Sequence, residues 1–389
     1  MSVAFDEFVS RVAPDAARRE RDRCLLTEEL AELRGIGFGT WRVPEAFGGS
    51  PLRLEELFAR LIRLSSADAS LGHVWRGHIA FVESLRQQPA DFAAPWFERI
   101  LAGDFVGNAQ SERHDTARLE TRIDRSEGSP VLSGTKYYTT GSIYADWIHL
   151  AALDGDDRVA VTVSAHHDGV RSTDDWDGFG QVLTGSGTTV FDRVPVGEDS
   201  IVPPSSDPAD TRWHHLGSIL QLALIAVIAG IAQRALDDTV AFVTPRRRTF
   251  GFAGETLPRE DALVQLVVGE LSVAAATTRR LVLSVAADLG DASESGASVE
   301  RMRDIQFDVF RLQELVPRLV LDATTRLFEV GGASAVGNGY ALDRHWRNVR
   351  TIASHNPVMQ RTRALGQFAL TGDLPDWQAP AAERSEASR

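Results

Sequence analysis

The chain has 389 residues, with 41 Lys and Arg against 54 Asp and Glu, giving a formal net charge of −13. That length exceeds the roughly 250 to 300 residues at which one hydrophobic core stops growing, so two or three subdomains are expected. The acidic balance argues against nucleic acid or an anionic membrane surface as partner, and the single cysteine, Cys24, excludes an internal disulfide or a cysteine-built metal cluster.

Residues 1–20 carry scattered charges and no apolar stretch followed by small residues, so no secretory leader is expected and the protein is placed in the cytoplasm. From Phe5 to about Gly103, Leu and Ala recur at helical spacing, defining an N-terminal helical domain over 1–103. The period then changes. Short runs at Asp104–Gln110, Arg118–Arg125, Val131–Tyr138, Trp147–Leu153, Arg158–Ser164 and Thr188–Val194 are rich in Val, Ile, Thr and aromatics, and predict a central antiparallel β-barrel or sandwich over 104–212. Helical spacing returns near 214–244, 258–289, 298–331 and 341–370, which predicts a C-terminal four-helix bundle over 213–372 and an α+β fold class. The apolar run Ile219–Ala232 falls short of the roughly 20 residues that span a bilayer and reads as a buried helix. The polar tail over 373–389 is expected to be disordered.

Several motifs lie along this order. Leu33 to Gly49 contains a Val-Pro-Glu loop and a Gly-Gly turn. Its Gly35-x-Gly37-x-Gly39 follows a helix and lacks the spacing of a dinucleotide fingerprint. Gly107-Asn108-Ala109-Gln110-Ser111-Glu112 runs from a strand into a turn, and Ser133 to Trp147 carries Gly-Thr-Lys-Tyr-Tyr-Thr-Thr-Gly-Ser-Ile-Tyr-Ala-Asp. Trp176 to Thr188 is a Gly-rich turn, Thr244 to Gly251 holds three arginines before Phe-Gly, and Gly331-Gly332 follows the third bundle segment. Taken together, these segments resemble the acyl-CoA dehydrogenase superfamily over residues of about 30 to 370. The Asn-Ala-x-Ser-Glu form and the Leu342–Pro357 stretch are nearer its flavin-dependent monooxygenase branch, the group of dibenzothiophene monooxygenase. That resemblance implies a homotetramer. It also implies flavin contacts from Asn108, Gln110, Ser111, Tyr138, Thr140 and Trp176, and phosphate contacts from Arg248 (or Arg247), Gly331 and Gly332.

The two histidines that matter most differ in setting. His78 follows His73 by five residues, about 140° around a helix, so the pair cannot share a metal face. His355 precedes Asn356-Pro357, and Pro357 biases its predecessor out of helix, which presents His355 at an element end where it can trade protons near neutral pH. Both match histidines of the monooxygenase branch, so the resemblance implies that they serve as catalytic groups, with Ser142 and Tyr144 as weaker candidates. It further implies an oxygenase that takes reduced FMN by diffusion from a separate reductase and forms a C4a-hydroperoxyflavin with O2. The substrate would be a small organosulfur compound or an amine. The rivals are an FAD-dependent acyl-CoA dehydrogenase, which needs a carboxylate base facing the flavin, and a catalytically idle flavin-binding protein. Glu314 and Glu329 are the bundle carboxylates available, and neither sits in the dehydrogenases' base motif.

Overall fold

A computed structural model describes residues 3–113, 119–126, 128–203, 205, 207, 209–248 and 256–375. The chain folds as two compact units, Met1–Arg53 with Ser70–Ser205, and Leu54–Ala69 with Ser206–Arg389. The segments read as separate domains at 1–103 and 104–212 therefore fall mostly into one unit, while Leu54–Ala67 joins the bundle.

In the first unit the helices are α1 (Val3–Val12), α2 (Ala16–Asp22), α3 (Thr27–Gly35), α5 (Ala69–Leu85) and α6 (Ala90–Leu101). Helix α5 is buried nearly all round, polar residues included, so its His, Arg and Glu side chains need partners inside the protein. Eight strands follow: β1 (Val106–Ala109), β2 (Arg122–Asp124), β3 (Val131–Lys136), β4 (Trp147–Asp154), β5 (Asp157–Ser164), β6 (Val170–Ser172), β7 (Thr189–Pro195) and β8 (Ile201–Val202). They form one sheet in the order β6-β7-β3-β2-β4-β5-β8, with β1 also on β4.

The sheet departs from the expected antiparallel barrel in two ways. Both β1 and β2 pair parallel to β4, β1 along Trp147–Leu150 and β2 at Leu153–Asp154, so the two lie end to end on a single edge of β4. The path is also open among the described residues. Its end strands, β6 and β8, have three and two residues, and neither has a ladder long enough to close the sheet. The short runs Val170–Ser172 and Ile201–Val202 escaped the sequence pattern for the same reason: two or three residues show no period.

The second unit is built from α4 (Leu54–Ala67), α7 (Arg212–Val243), α8 (Ala262–Glu294), α9 (Val299–Arg326), α10 (Asp343–Ala353) and α11 (Val358–Thr371). Helix α7 is its centre. The most apolar window of α7 is 83% buried inside the protein, which identifies it as a core helix and agrees with the reading of Ile219–Ala232. The segment expected as one helix over 341–370 is two, because Asn356-Pro357 ends α10 and opens α11. Asp238 of α7 accepts from both Arg344 and His345 of α10 and so pins that helix to the core.

Candidate functional site

Three segments of the first unit meet at one wall: α5, the turn Thr139–Tyr144, and the loop Trp176–Gly187. Gly77 lets α5 lie against β1, since a Cβ there would stand 2.6 Å from Asn108 Cβ. Gly107 does the same for the turn, where a Cβ would come within 2.9 Å of Ser142 Cα. With both glycines in place, Asn108 is buried and its backbone N–H donates to Thr140 O at 3.1 Å. Val74 O lies 3.3 Å from where a Cβ of Gly141 would be, so the turn also abuts α5, and Gly141 takes φ +82, which glycine adopts without strain.

Thr140 begins a chain of hydroxyls. Its Oγ1 lies 2.8 Å from Ser186 Oγ, which lies 2.7 Å from Thr184 Oγ1, and Thr184 Oγ1 donates to Gln181 O at 2.8 Å. A carbonyl only accepts, so the Thr184 proton is committed to it. Ser186 then donates to Thr184 and Thr140 to Ser186, which leaves the Thr140 oxygen as an acceptor at the open end. Beside it, Tyr138 takes φ +60 and is 45% exposed, with the Trp176 ring 5.9 Å away and nearly perpendicular. Trp176 Nε1 donates to Gly180 O at 3.1 Å, which orients the indole. Ser142 is 3% exposed and its Oγ has no partner among the described residues, and the same holds for His73 Nε2. Buried polar atoms left without partners in a native structure call for an explanation. Together with a hydroxyl acceptor and two perpendicular aromatic rings, they suit a planar ring that both donates and accepts hydrogen bonds, as a flavin does.

His78 behaves otherwise than as a free acid. Its Nδ1 accepts from Val106 N at 3.2 Å, so its proton is on Nε2 and donates to Gly39 O at 3.0 Å. Burial pushes its pKa down to about 4, against the opposing bond to Gly39, so the ring is neutral near pH 7 and both nitrogens are occupied by backbone. It ties α5 to β1 and to the segment around Gly39. A Cβ at Gly39 would sit 2.7 Å from that Nε2, which is what this glycine's place in the Gly-x-Gly-x-Gly run accomplishes. The Tyr144 hydroxyl donates to Leu183 O at 2.7 Å and accepts from Leu26 N at 3.4 Å, so it braces the Gly-rich loop. Gln110 Nε2 donates to His149 O at 3.4 Å, and Ser111 is exposed, its backbone bridging to Tyr137.

One charged pair supports the floor of the sheet. Lys136 Nζ lies 2.6 Å from Glu112 Oε1 with both side chains nearly fully buried. Although burial opposes it, the hydrogen bond from Lys136, with others from Thr121 and Glu120, holds the Glu112 carboxyl down to about 2.

The remaining candidates lie in the second unit. His355 is exposed just past the end of α10, its Nδ1 3.2 Å from Asn356 Nδ2, and Asn356 Nδ2 donates to Gln221 Oε1 on α7. Gly331 packs on Phe242, where a Cβ would meet the ring at 2.5 Å, and Arg246 stacks over the same ring at 4.4 Å. Gly332 follows with φ +49, and Arg247 and Arg248 are exposed, while Thr249, Phe250 and Gly251 lie outside the described residues. Gln221 and Phe242 are roughly 20 residues apart on one continuous helix, about 30 Å at 1.5 Å per residue. His355 and the Gly331–Arg248 region therefore sit near opposite ends of α7 and do not converge within one chain.

Comparison with known proteins gives a consistent picture. Residues 222–360 match the family described as "Acyl-CoA dehydrogenase, C-terminal domain". The chain is 28% identical over 380 residues to a probable FMNH2-dependent monooxygenase, SfnC, of Pseudomonas putida, covering 95% of this chain and 94% of that one. The structure of the methanesulfinate monooxygenase MsuC from Pseudomonas fluorescens superposes with a TM-score of 0.87 at 26% identity, over 96% of this chain and 97% of that one. FMN-bound TdsC from Paenibacillus sp. A11-2 superposes with a TM-score of 0.86 at 26% identity, over 96% and 98% of the two chains.

Proposed function

We propose that the chain is a flavin monooxygenase on the acyl-CoA dehydrogenase fold and the oxygenase component of a two-component system. It uses reduced FMN and O2 to oxygenate a small organosulfur compound or amine. The observation that carries this reading is the end-to-end likeness to a reduced-FMN-dependent monooxygenase, 95% of one chain against 94% of the other, with no large segment of either chain left over.

When bound, reduced FMN supplies two electrons to O2, one oxygen atom entering the substrate and the other leaving as water. The chain's own residues supply the setting. Asn108, Thr140 and Ser142 line the ring's polar edge, Thr140 as an acceptor because of its hydroxyl chain, and Tyr138 and Trp176 flank it on the open side. His78 is a positioning residue: it has no nitrogen to spare and no proton to give near neutral pH, but it fixes α5 against β1 beneath the site. His355 is the group that moves a proton, held at an element end by the Asn356–Gln221 bond. Arg248, with Gly331 and Gly332, takes the phosphate. We infer a homotetramer in which one subunit's arginine serves the flavin of its neighbour, as the resemblance implies. A separate NAD(P)H:flavin reductase supplies the reduced flavin by diffusion, in the cytoplasm.

The test is anaerobic loading with reduced FMN, then O2 and a panel of methanesulfinate, dibenzothiophene and an amino sugar, read by mass spectrometry with 18O2. Gain of one labelled oxygen by one of these supports the reading. Purification with FAD that an acyl-CoA thioester reduces would replace it with a dehydrogenase. FMN bound without oxygen transfer to any compound would favour an idle flavin-binding protein.

A further inference from the structure

The second unit carries a seam of polar pairs between α7 and α9. His214 Nδ1 lies 2.9 Å from Gln306 Oε1, and Gln313 Nε2 donates to Gln221 Oε1 at 3.0 Å, the partners being 92 residues apart in each case. The two pairs are separated by the same two turns on both helices, so α7 and α9 run parallel with these residues on their facing stripes. One step further in the same register stand Ile228 and Val320, both buried and apolar. A polar layer in such a seam costs stability relative to an apolar one, so a reason for keeping it is to be sought in what it touches.

The Gln221 layer touches the segment that carries His355. Gln221 Oε1 accepts from two amides at once, Gln313 Nε2 on α9 and Asn356 Nδ2 at the break between α10 and α11. An amide oxygen only accepts, so Asn356 turns its nitrogen toward α7, and the second hydrogen of that nitrogen is left for His355 Nδ1 at 3.2 Å. Facing a donor, Nδ1 holds its lone pair toward Asn356, and the proton of the neutral ring sits on Nε2. His355 N donates to Ile352 O at 3.1 Å, which fixes the turn bearing both side chains.

The far end of this relay is also set. Gln313 Oε1 is buried and has no partner among the described residues. Pro317, inside α9 and four residues on, has no N–H, so Gln313 O lacks its intrahelical donor as well. Gln313 and Pro317 line a small cavity with Gln221, Ile352 and Asn356, which has room for about one water. A donor in that cavity favours the Gln313 amide with its oxygen there and its nitrogen on Gln221.

We propose that Gln221 and Gln313 are positioning residues for His355. Through Asn356 they fix its ring as the Nε2–H tautomer, so the proton that His355 brings to the reaction is the one on Nε2. The inference rests on the role given to His355 above and adds two glutamines that no motif singles out.

The experiment measures oxygenated product per O2, affinity for reduced FMN and melting temperature in wild type, Gln221→Leu, Gln221→Glu, Gln313→Leu, His355→Ala and Gln221→Leu/His355→Ala. Gln221→Leu should lower product per O2 about tenfold, the value of one hydrogen bond at 1.4 kcal/mol per tenfold, with affinity for FMN unchanged. Gln313→Leu, one bond further from the ring, should lower it about threefold. Gln221→Glu, whose carboxylate accepts from both amides, should stay within about threefold of wild type. Adding Gln221→Leu to His355→Ala should change nothing more, because the relay acts through that ring. Full coupling in Gln221→Leu, or an equal further loss on top of His355→Ala, overturns the inference while leaving the oxygenase reading intact. A loss in Gln221→Glu as large as that in Gln221→Leu, or losses that track melting temperature across the set, also overturn it by showing that the glutamines only hold the helices together. Wild-type protein that transfers oxygen to no compound of the panel sinks the oxygenase reading and this role together.

Discussion

The ion pair beneath α5 offers the sharpest test of how the first unit is held. Glu83 is 0% exposed, and Arg42, 3% exposed, lies 2.5 Å from it; Arg86 Nε approaches the other carboxylate oxygen at 3.7 Å and Arg86 also donates to Arg42 O at 3.0 Å. Arg42 reaches Leu52 O as well, so one guanidinium fastens the loop after Gly39 to the helix that carries His73 and His78. Replacing Glu83 by Leu keeps the volume and removes the carboxylate that the buried Arg42 guanidinium faces. The cost of breaking a buried pair from one side is about 3–5 kcal/mol, whereas exchanging both partners for apolar residues is far cheaper. Glu83→Leu should therefore lower the stability of this unit by about 3–5 kcal/mol in urea unfolding followed by tryptophan fluorescence, since Trp41, Trp75, Trp96 and Trp147 all report on it. The double variant Arg42→Met/Glu83→Leu should recover at least about 2 kcal/mol of that loss. A single variant costing less than about 1 kcal/mol would behave as an exposed pair does and would refute the argument that this buried charge anchors the loop.

Gly77→Ala should destabilise the first unit by about 1–3 kcal/mol through the clash with Asn108, despite a helix-propensity gain of about 1 kcal/mol; a more stable variant in the same urea assay would show that β1 yields easily. Burial lowers His73, His78 and His149 to about 4, so each folded ring binds its proton less readily than the unfolded one at 6.5. Stability from these rings is then complete above about pH 6.5 and lost as pH falls toward 4, by at most about 3 kcal/mol per ring. Unfolding free energy measured from pH 7.5 to 4.5 should drop accordingly, and His149→Gln should make the drop shallower; a flat profile would contradict the burial argument. On the proposed function, His355→Ala should cut oxygenated product by 10²-fold or more while reduced FMN is still consumed, and unchanged product per O2 would remove His355 from the proton-moving role.

How much of this could be read from the sequence depends on the range over which each signal acts. Long helical periods placed α7, α8 and α9 within a few residues, and Asn356-Pro357 marked the end of α10, because these signals are local and repeated. The sheet was less legible. Strand runs were visible, but their pairing is set by partners far along the chain, so the shared edge of β4 that puts β1 and β2 end to end, both parallel to it, had no local trace. The site followed the same rule. The motifs containing Asn108, Thr140 and Ser142 lie on segments that the fold packs against one another.

His78 and His73 show where motif reasoning stops. Five residues apart on one helix, they present rings in directions about 140° apart, and the sequence pattern favours His78. The chemistry of each ring is decided by what faces it. His78 meets a backbone N–H and a backbone carbonyl, and every residue type carries those groups, so no composition or spacing reveals that both its nitrogens are occupied. His73 meets the amide of Gln181, more than a hundred residues away, and its Nε2 has no partner among the described residues. A glutamine in a Gly-rich turn carries no such message until the turn is folded against α5. The residue that the motif singles out is thus the one whose hydrogen bonds the fold has already used.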